Sequence, residues 1–225
     1  MRTRTVLSAL SLLSLASMAS ASTLWDQSAI NFNSPISMAN WTTTGFGQTE
    51  AFGMTDISVP AGGWTVQSIT VYMGTYAFST PSQAVFNLFP KTGSLPTAAN
   101  NPRRIANGGS GVNVAATSTY LSGDVLAVTS TMSVNIPAGD WWISLTPKFG
   151  SNGDVANQWP AASLYGNSQA VRFAAPLDAA WSDNAALLGE GATDGAILIE
   201  GIATPAPSSL ALLGLGGLIA GRRRR

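Results

Sequence analysis

The carboxylates are the residues best able to do acid–base chemistry, because the sequence contains no histidine and no cysteine. Without cysteine there is no thiolate nucleophile and no disulfide scaffold, and without histidine the commonest general base and metal ligand is missing. The 11 acidic residues could supply the two facing carboxylates of a glycosidase, but no spacing singles out a pair. The sequence also lacks a Gly-x-Ser-x-Gly elbow and a phosphate-cradling loop. We therefore expect no catalytic residues, and a glycoside hydrolase is the least favoured reading.

Two isolated aromatic residues, Trp159 and Tyr165, lie in the polar stretch GSNGDVANQWPAASLYGNSQ, which reads as a long loop. Loops on a rigid scaffold often carry binding sites, and flat rings can stack on sugars, so extracellular polysaccharide is a candidate partner. The alternative is that Trp159 folds back to cap a sheet. The segment SNGDVAN within this stretch offers oxygen atoms to calcium but lacks the alternating acidic ligands of a calcium loop. We expect no metal and no cofactor.

The charges are segregated along the chain. All 11 acidic residues lie between Asp26 and Glu200, whereas only five basic residues lie in that interval, which gives this body a net charge of −6. Those five are Lys91, Arg103, Arg104, Lys148 and Arg172. An acidic body without a clustered basic face is a poor nucleic-acid binder. Arg103 and Arg104 fall in a long irregular stretch from Lys91 to Asn113 and are expected to be solvated.

The N-terminus has the organisation of a secretory signal peptide. Arg2 and Arg4 precede an apolar stretch, and small residues close it at Ala19 and Ala21. Signal peptidase accommodates small residues at those two positions. We predict export by a Sec-type machinery and cleavage before Ser22.

The C-terminus combines two prolines, a short apolar segment and four arginines. Residues 208–221, 14 in number, would span about 21 Å as a helix against a hydrocarbon core of about 30 Å. The terminal arginines favour a cytoplasmic end, so the body would lie on the other side of the inner membrane. A simple C-terminal membrane anchor is one reading of this arrangement.

The order of these parts resembles the sorting tail of the bacterial PEP-CTERM family, whose members are handled by an exosortase. Pro205 and Pro207 match the prolines of the family's tripeptide, with Ala206 where the family usually has Glu. The segment 210–220 matches its helix, and the basic end is matched by Arg222, Arg223, Arg224 and Arg225. The resemblance implies an exosortase-type processing enzyme as a partner and transient anchoring in the inner membrane.

Between the two ends, short runs with an apolar period of two predict β-strands separated by turn-rich spacers. Examples are MSVNIP, WWISLT, AVFNLF and GAILIEGI. In WTVQSITVYM the apolar parity changes, which predicts a β-bulge near Gln67 and Ser68. No stretch of the body has a convincing helical period. Trp64, Trp141 and Trp142 are expected to lie in or beside the core.

One phrase occurs twice, as VPAGGW from Val59 to Trp64 and as IPAGDW from Ile136 to Trp141. Proline fixes φ, and Gly62 or Gly139 permits the positive φ of a tight turn. Each tryptophan would then open the following strand. We favour one turn solution used twice over two related binding loops.

The body is similar to the β-sandwich ectodomains found in front of such tails, which implies an all-β, jelly-roll-like or galactose-binding-like antiparallel sandwich. The expected organisation is a signal peptide (1–21), a β-sandwich (22–203) and a sorting tail with a short apolar helix (204–225). The predicted function is that of an exported, non-enzymatic envelope, cell-surface or biofilm-matrix protein. A module that binds extracellular polysaccharide is the first alternative.

Overall fold

The computed structural model describes residues 20–33, 38–43, 50–75, 80–103, 109–122, 124–150, 156–163, 169–175, 180–188 and 194–205. Ala19 and the rest of the predicted signal peptide lie outside these ranges, as does the tail from Ala206 onward. In the described part, no helix is long and apolar enough to cross a bilayer.

The described part contains fourteen strands and one short helix. They are β1 (Ser22–Asp26), β2 (Met38–Ala39), β3 (Trp41–Thr43), β4 (Glu50–Val59), β5 (Trp64–Thr75), β6 (Gln83–Pro90), β7 (Val112–Ala115), β8 (Thr117–Ser122), β9 (Val125–Ile136), β10 (Gly139–Phe149), β11 (Ala156–Gln158), β12 (Gln169–Ala175), β13 (Ser182–Asp183), α1 (Asn184–Leu188) and β14 (Ile197–Ala203). This confirms the all-β class, with α1 as the helical exception among these elements.

The strands form two seven-stranded sheets that pack as a sandwich. In sheet I, β5 is central: β9 pairs with one edge of it and β8 pairs with β9, while β14 and β11 follow one another along the other edge. Beyond them, β1 pairs with β14 and β2 with β11. Sheet II has the order β13-β12-β4-β3-β10-β6-β7, with β4 also pairing with β10. The pairing is antiparallel except between β10 and β3, which run parallel.

The main core lies between the sheets and is filled by alternate apolar residues of the strands, among them Ile136, Ile143 and Leu145 of the predicted runs. From sheet I it takes Trp64, Val66, Ile69, Val71, Met73, Leu126, Val128, Ile136, Ile197 and Ile199, and from sheet II Ile57, Ala84, Phe86, Ile143, Leu145 and Phe149. The parity change in β5 is also confirmed, because its pairing with both β9 and β14 shifts register between Val66 and Ser68. The bulge lets residues on both sides of Gln67 face the same core.

The two copies of the repeated phrase form two crossings between the sheets. The first joins β4 in sheet II to β5 in sheet I, and the second joins β9 in sheet I to β10 in sheet II. The crossings lie side by side, since Val59 pairs with Gly139 and Trp64 with Ile136. The predicted positive φ is confirmed at Gly62 (106°) and Gly139 (130°). We call the end of the sandwich that carries these turns the turn end.

Candidate functional site

The two chain ends of the sandwich emerge together at the turn end. β1 begins at Ser22, the residue at which the sequence predicts the mature protein to begin, and Ser22 pairs with Gly201 of the last strand. The Ser22 hydroxyl donates to the Gly201 carbonyl at 3.3 Å. β14 ends at Ala203, two residues before the exposed Pro205. The segments predicted to meet the membrane therefore leave the body from neighbouring strands.

The turn end is held by backbone contacts that tie the last strand to the first crossing. Ala203 pairs with Trp64, and the Thr204 amide donates to the Gly63 carbonyl at 3.0 Å. Gly63 has a φ of 83°, and a Cβ there would lie 2.7 Å from the Ile136 carbonyl oxygen of the second crossing. Glycine is thus required both by the backbone conformation and by the close approach of the two crossings.

Residues 91–103 and 109–111 lie over the outer face of sheet II; we call these described residues the strap. Beneath it lies a second apolar cluster, separate from the main core, made of Phe52, Met54, Val85, Phe89, Trp142, Ala170 and Trp181, with Leu95 of the strap packed against it. The Trp181 indole N–H donates to the Asn100 carbonyl of the strap at 2.9 Å. The strap therefore turns the outer face of this sheet into a buried layer.

Two ion pairs connect the strap to two acidic residues, Glu50 and Asp56, on one face of β4. Lys91 bonds Asp56, and the Arg103 guanidinium lies 3.7 Å from the Glu50 carboxylate. The two acidic side chains are 3% and 2% exposed respectively. Between them on the same face are Phe52 and Met54, so β4 presents charge, two apolar side chains and charge in alternate positions. The expectation of a solvated Arg103 is therefore wrong, because the strap folds back onto β4; Arg104 lies outside the described residues.

Burial perturbs the carboxyl group of the first ion pair. Desolvation raises the pKa of Asp56, and the hydrogen bond and charge of Lys91 oppose that rise. The Lys91 ammonium also lies 5.0 Å from the centroid of the Trp142 ring, a cation–π distance. Lys91 is thus paired with a carboxylate and lies near an aromatic ring, and Asp56 is paired with Lys91. These contacts stabilise the packing of the strap on sheet II.

Trp159 does not lie in an open loop, because the polar stretch that contains it also forms a buried strand. Immediately before it, β11 pairs with β5 and β2. The Trp159 backbone N–H donates to the Tyr72 carbonyl at 2.8 Å, and a Cβ on Gly74 would lie 3.0 Å from the indole ring. The indole is half-buried, and Phe32 meets it edge-on with ring centroids 5.4 Å apart. Tyr165 lies outside the described residues.

Phe32 is an aromatic residue that the sequence did not single out, and its side chain is 63% exposed. It follows β1 by a short irregular segment and has no apolar period around it, so no local signal marked it. Together with Trp159 it forms an aromatic ledge at the end of the sandwich opposite the turn end.

A buried polar network joins the sheets, and the sequence did not predict it. The Asn40 amide donates to the Leu145 carbonyl at 3.2 Å and to Gln158 Oε1 at 3.0 Å. Thr146 Oγ1 donates to Asn40 Oδ1 at 2.6 Å. Nearby, Gln27 Nε2 donates to the fully buried Asp194 carboxylate at 3.1 Å. The Asn40 amide, Thr146 hydroxyl and Gln158 amide bond one another and nearby backbone carbonyls, which fits a role in fixing the packing of the two sheets.

Six described carboxylates have structural partners. Glu50 and Asp56 pair with strap cations, Asp26 accepts from Ser28, and Glu200 accepts from Ser68. Asp183 accepts from the Ala186 amide and Asp194 from Gln27. The hydrogen bonds from Ser28 lower the pKa of Asp26. Within the described ranges, no three acidic residues gather into a group that could hold a metal ion. Residues 151–155 of the segment weighed for calcium lie outside those ranges.

A scan against protein-family models matched no family, and neither the search of curated proteins nor that of solved structures returned a match.

Proposed function

We propose that this chain is an exported bacterial envelope or matrix protein, sorted through a PEP-CTERM-like C-terminal tail. Its body is a jelly-roll-like or galactose-binding-like sandwich with a structural, non-enzymatic role at the cell surface. The partners of the proposal are signal peptidase, the Sec-type machinery and an exosortase-type processing enzyme. The inner membrane would hold the short apolar helix until the tail is processed.

The observation that carries the proposal is the position of the two ends of the sandwich. Ser22 starts a strand that pairs with the strand ending at Ala203. A signal peptide before Ser22 and an apolar helix after Pro205 would therefore enter the same membrane from one end of the body. An arrangement with these ends on opposite sides of the sandwich would have required a long connection to reach the bilayer.

The structural role is supported by the placement of the tryptophans. Trp64, Trp142 and Trp181 are buried, and Trp25, Trp41 and Trp141 pack against the main core. These large side chains contribute to the two apolar layers, where each stabilises the sandwich by contact area. Sheet II packs against sheet I on one face and against the strap on the other, which suits a structural surface or matrix component.

Mass spectrometry of the protein recovered from envelope and medium fractions tests the proposal. We expect a first residue of Ser22 and, in the processed form, a last residue near Pro205. A variant with glutamine at positions 222–225 should accumulate with its tail uncut, whereas a variant with lysine there is the matched control that keeps the charge. Exported protein that retains Met1, or equal processing of the two variants, would refute the sorting role.

The ledge of Phe32 and Trp159 favours extracellular polysaccharide as a second candidate function, because an exposed ring at the end remote from the turn end could stack on a sugar. Phe32→Ala should then abolish retention on an acidic or neutral polysaccharide column while leaving the melting temperature unchanged. Leu187→Ala removes an equally exposed apolar side chain elsewhere and serves as the control. Unchanged retention in Phe32→Ala would leave Trp159 with a capping role alone.

A further inference from the structure

The chain from Val112 to Ser122 forms an edge of both sheets within the part of the chain that the structure describes; we call it the edge ribbon. β7 is the last strand of sheet II and pairs only with β6 among the described strands, after which the chain crosses at Ala116 to sheet I. There β8 pairs only with β9 among the described strands. In β7 the Ala115 carbonyl already accepts a hydrogen bond from Ser130 at 2.7 Å. Among the described strands, the side of β8 that faces away from β9 therefore offers its backbone groups to a further strand.

The edge ribbon differs from the rest of the surface in composition. Its 11 residues, VNVAATSTYLS, include no charged residue and no proline. Three of the five large hydrophobic side chains that are exposed in the described part belong to it, namely Val112, Tyr120 and Leu121. Natural proteins often protect a sheet edge with lysine, proline, an inward charge or a β-bulge. The edge ribbon has no charge and no proline, and a bulge interrupts it only after Tyr120.

The Tyr120 and Leu121 side chains are 48% and 57% exposed, although β8 is paired with β9 along one edge. Such exposure is unusual for apolar side chains of this size. The pairing of β8 with β9 shifts register after Tyr120, so Leu121 bulges out of the ladder. The part of β8 that pairs regularly is therefore Thr117–Tyr120, and Leu121 follows it directly.

The distribution of charge favours a second copy of this chain as the partner of the edge ribbon. The body between Asp26 and Glu200 carries a net charge of −6, so two copies repel each other across most of their surface. The edge ribbon is a neutral stretch, and between Arg104 and Asp140 the sequence holds one charged residue, Asp124. An antiparallel strand edge is also complementary to itself about a two-fold axis, because its donors and acceptors alternate.

We propose that the edge ribbon is a homotypic assembly surface, at which β8 of one copy pairs antiparallel with β8 of a second copy and extends sheet I across both. Tyr120 and Leu121 of one copy would then pack against the same residues of the other copy, beside the new hydrogen-bonded ladder. The mode is strand addition at a sheet edge, in which backbone hydrogen bonds supply affinity and alternate side chains supply register.

Antiparallel pairing has a consequence that rests on the proposed sorting role. The strands run between the turn end and the opposite end of the sandwich, so the two-fold axis places the turn ends of the two copies at opposite ends of the pair. Such a pair links two surfaces, or two layers of a matrix, rather than two neighbours in one membrane.

Cysteine crosslinking tests the assembly surface, because the chain has no native cysteine to interfere. Thr119→Cys puts a thiol on the exposed edge of sheet I, and Thr23→Cys is the matched control on the exposed opposite edge strand, β1. The purified full-length chain in detergent is oxidised at micromolar concentration and separated on a non-reducing gel. We expect a disulfide-linked dimer from Thr119→Cys and monomer from Thr23→Cys.

Adding Tyr120→Lys to the Thr119→Cys chain should lower the dimer yield about fivefold, since it sets like charges near the two-fold axis. Equal dimer yield from both cysteine positions, or monomer from both, overturns the proposal. A dimer that persists with Tyr120→Lys also overturns it. Because the purified chain is used, a failure here is separate from a failure of export or tail processing.

Discussion

The ion pair between Lys91 and Asp56 makes a sharp prediction about the strap. Replacing Lys91 by methionine keeps most of the aliphatic stem but leaves the Asp56 carboxylate, 3% exposed, without its cation. Removing one partner of a buried pair costs about 3–5 kcal/mol, and because Lys91 is itself 20% exposed we expect about 3 kcal/mol at pH 7.

The carboxyl group can limit this loss by taking up a proton. The ordinary pKa of an aspartate is 3.8, and protonating it above that pH costs about 1.36 kcal/mol per pH unit. The loss of stability therefore cannot exceed about 4.4 kcal/mol at pH 7 or about 1.6 kcal/mol at pH 5. Lys91 holds the pKa of Asp56 down against desolvation, so the substitution raises that pKa further. A raised pKa means that the folded state binds the proton more tightly, and the penalty fades as pH falls towards it.

Urea denaturation followed by tryptophan fluorescence at pH 7 and pH 5 measures both quantities. Lys148→Met, which removes an ammonium group that contacts Gln83, is the matched control and should cost less than about 0.5 kcal/mol at either pH. The double variant Asp56→Asn with Lys91→Met buries no charge and should lose the pH dependence. A Lys91→Met penalty below about 1 kcal/mol, or one that is equal at both pH values, would refute the reasoning.

Three further substitutions test other parts of the fold by the same assay. Trp159→Ala removes a half-buried indole from Gly74 and should cost about 2 kcal/mol, whereas an unchanged midpoint would contradict its capping role. Gly63→Ala must adopt a φ of 83° against a carbonyl oxygen at 2.7 Å and should cost at least about 2 kcal/mol, while Gly150→Ala, with open space around the new Cβ, should stay within about 0.5 kcal/mol. Asn40→Ala leaves the buried hydroxyl and amide of its partners unpaired and should cost about 3 kcal/mol; a loss below about 1 kcal/mol would show that the network is dispensable.

Local patterns predicted much of the fold because they report on geometry within a few residues. The period of two placed the longer strands and the inward side chains of β9 and β10, since a strand's side chains alternate between its faces. The parity change in β5 predicted the bulge that the register shift confirms. The paired PAG phrases predicted positive φ at Gly62 and Gly139, because few residues other than glycine adopt it.

The outer layer could not be predicted in the same way. The sequence predicted both Trp141 and Trp142 in or beside the core, and Trp142 is fully buried. It did not predict that Trp142 would lie in a second cluster, under a strap that begins about fifty positions earlier in the sequence. One face of β4 carries Glu50, Phe52, Met54 and Asp56. Two large apolar residues on a face are poorly suited to solvent, so this pattern indicates that another segment covers the face. Neither acid indicates which cation it will meet.

The sequence by itself determined the positions of the longer strands, the tight turns and the segregation of charge, and it is the basis on which a signal and a tail are predicted. Tertiary structure alone decided that β1 and β14 are neighbours, that the strap buries a second apolar layer, and that the edge ribbon is an edge of both sheets as far as the described residues go. The physical reason is that backbone preference and alternation act between adjacent residues, whereas sheet order depends on which long-range pairings bury the most apolar surface together. Contacts such as Ser22 with Gly201 therefore follow from the whole fold and from no local segment.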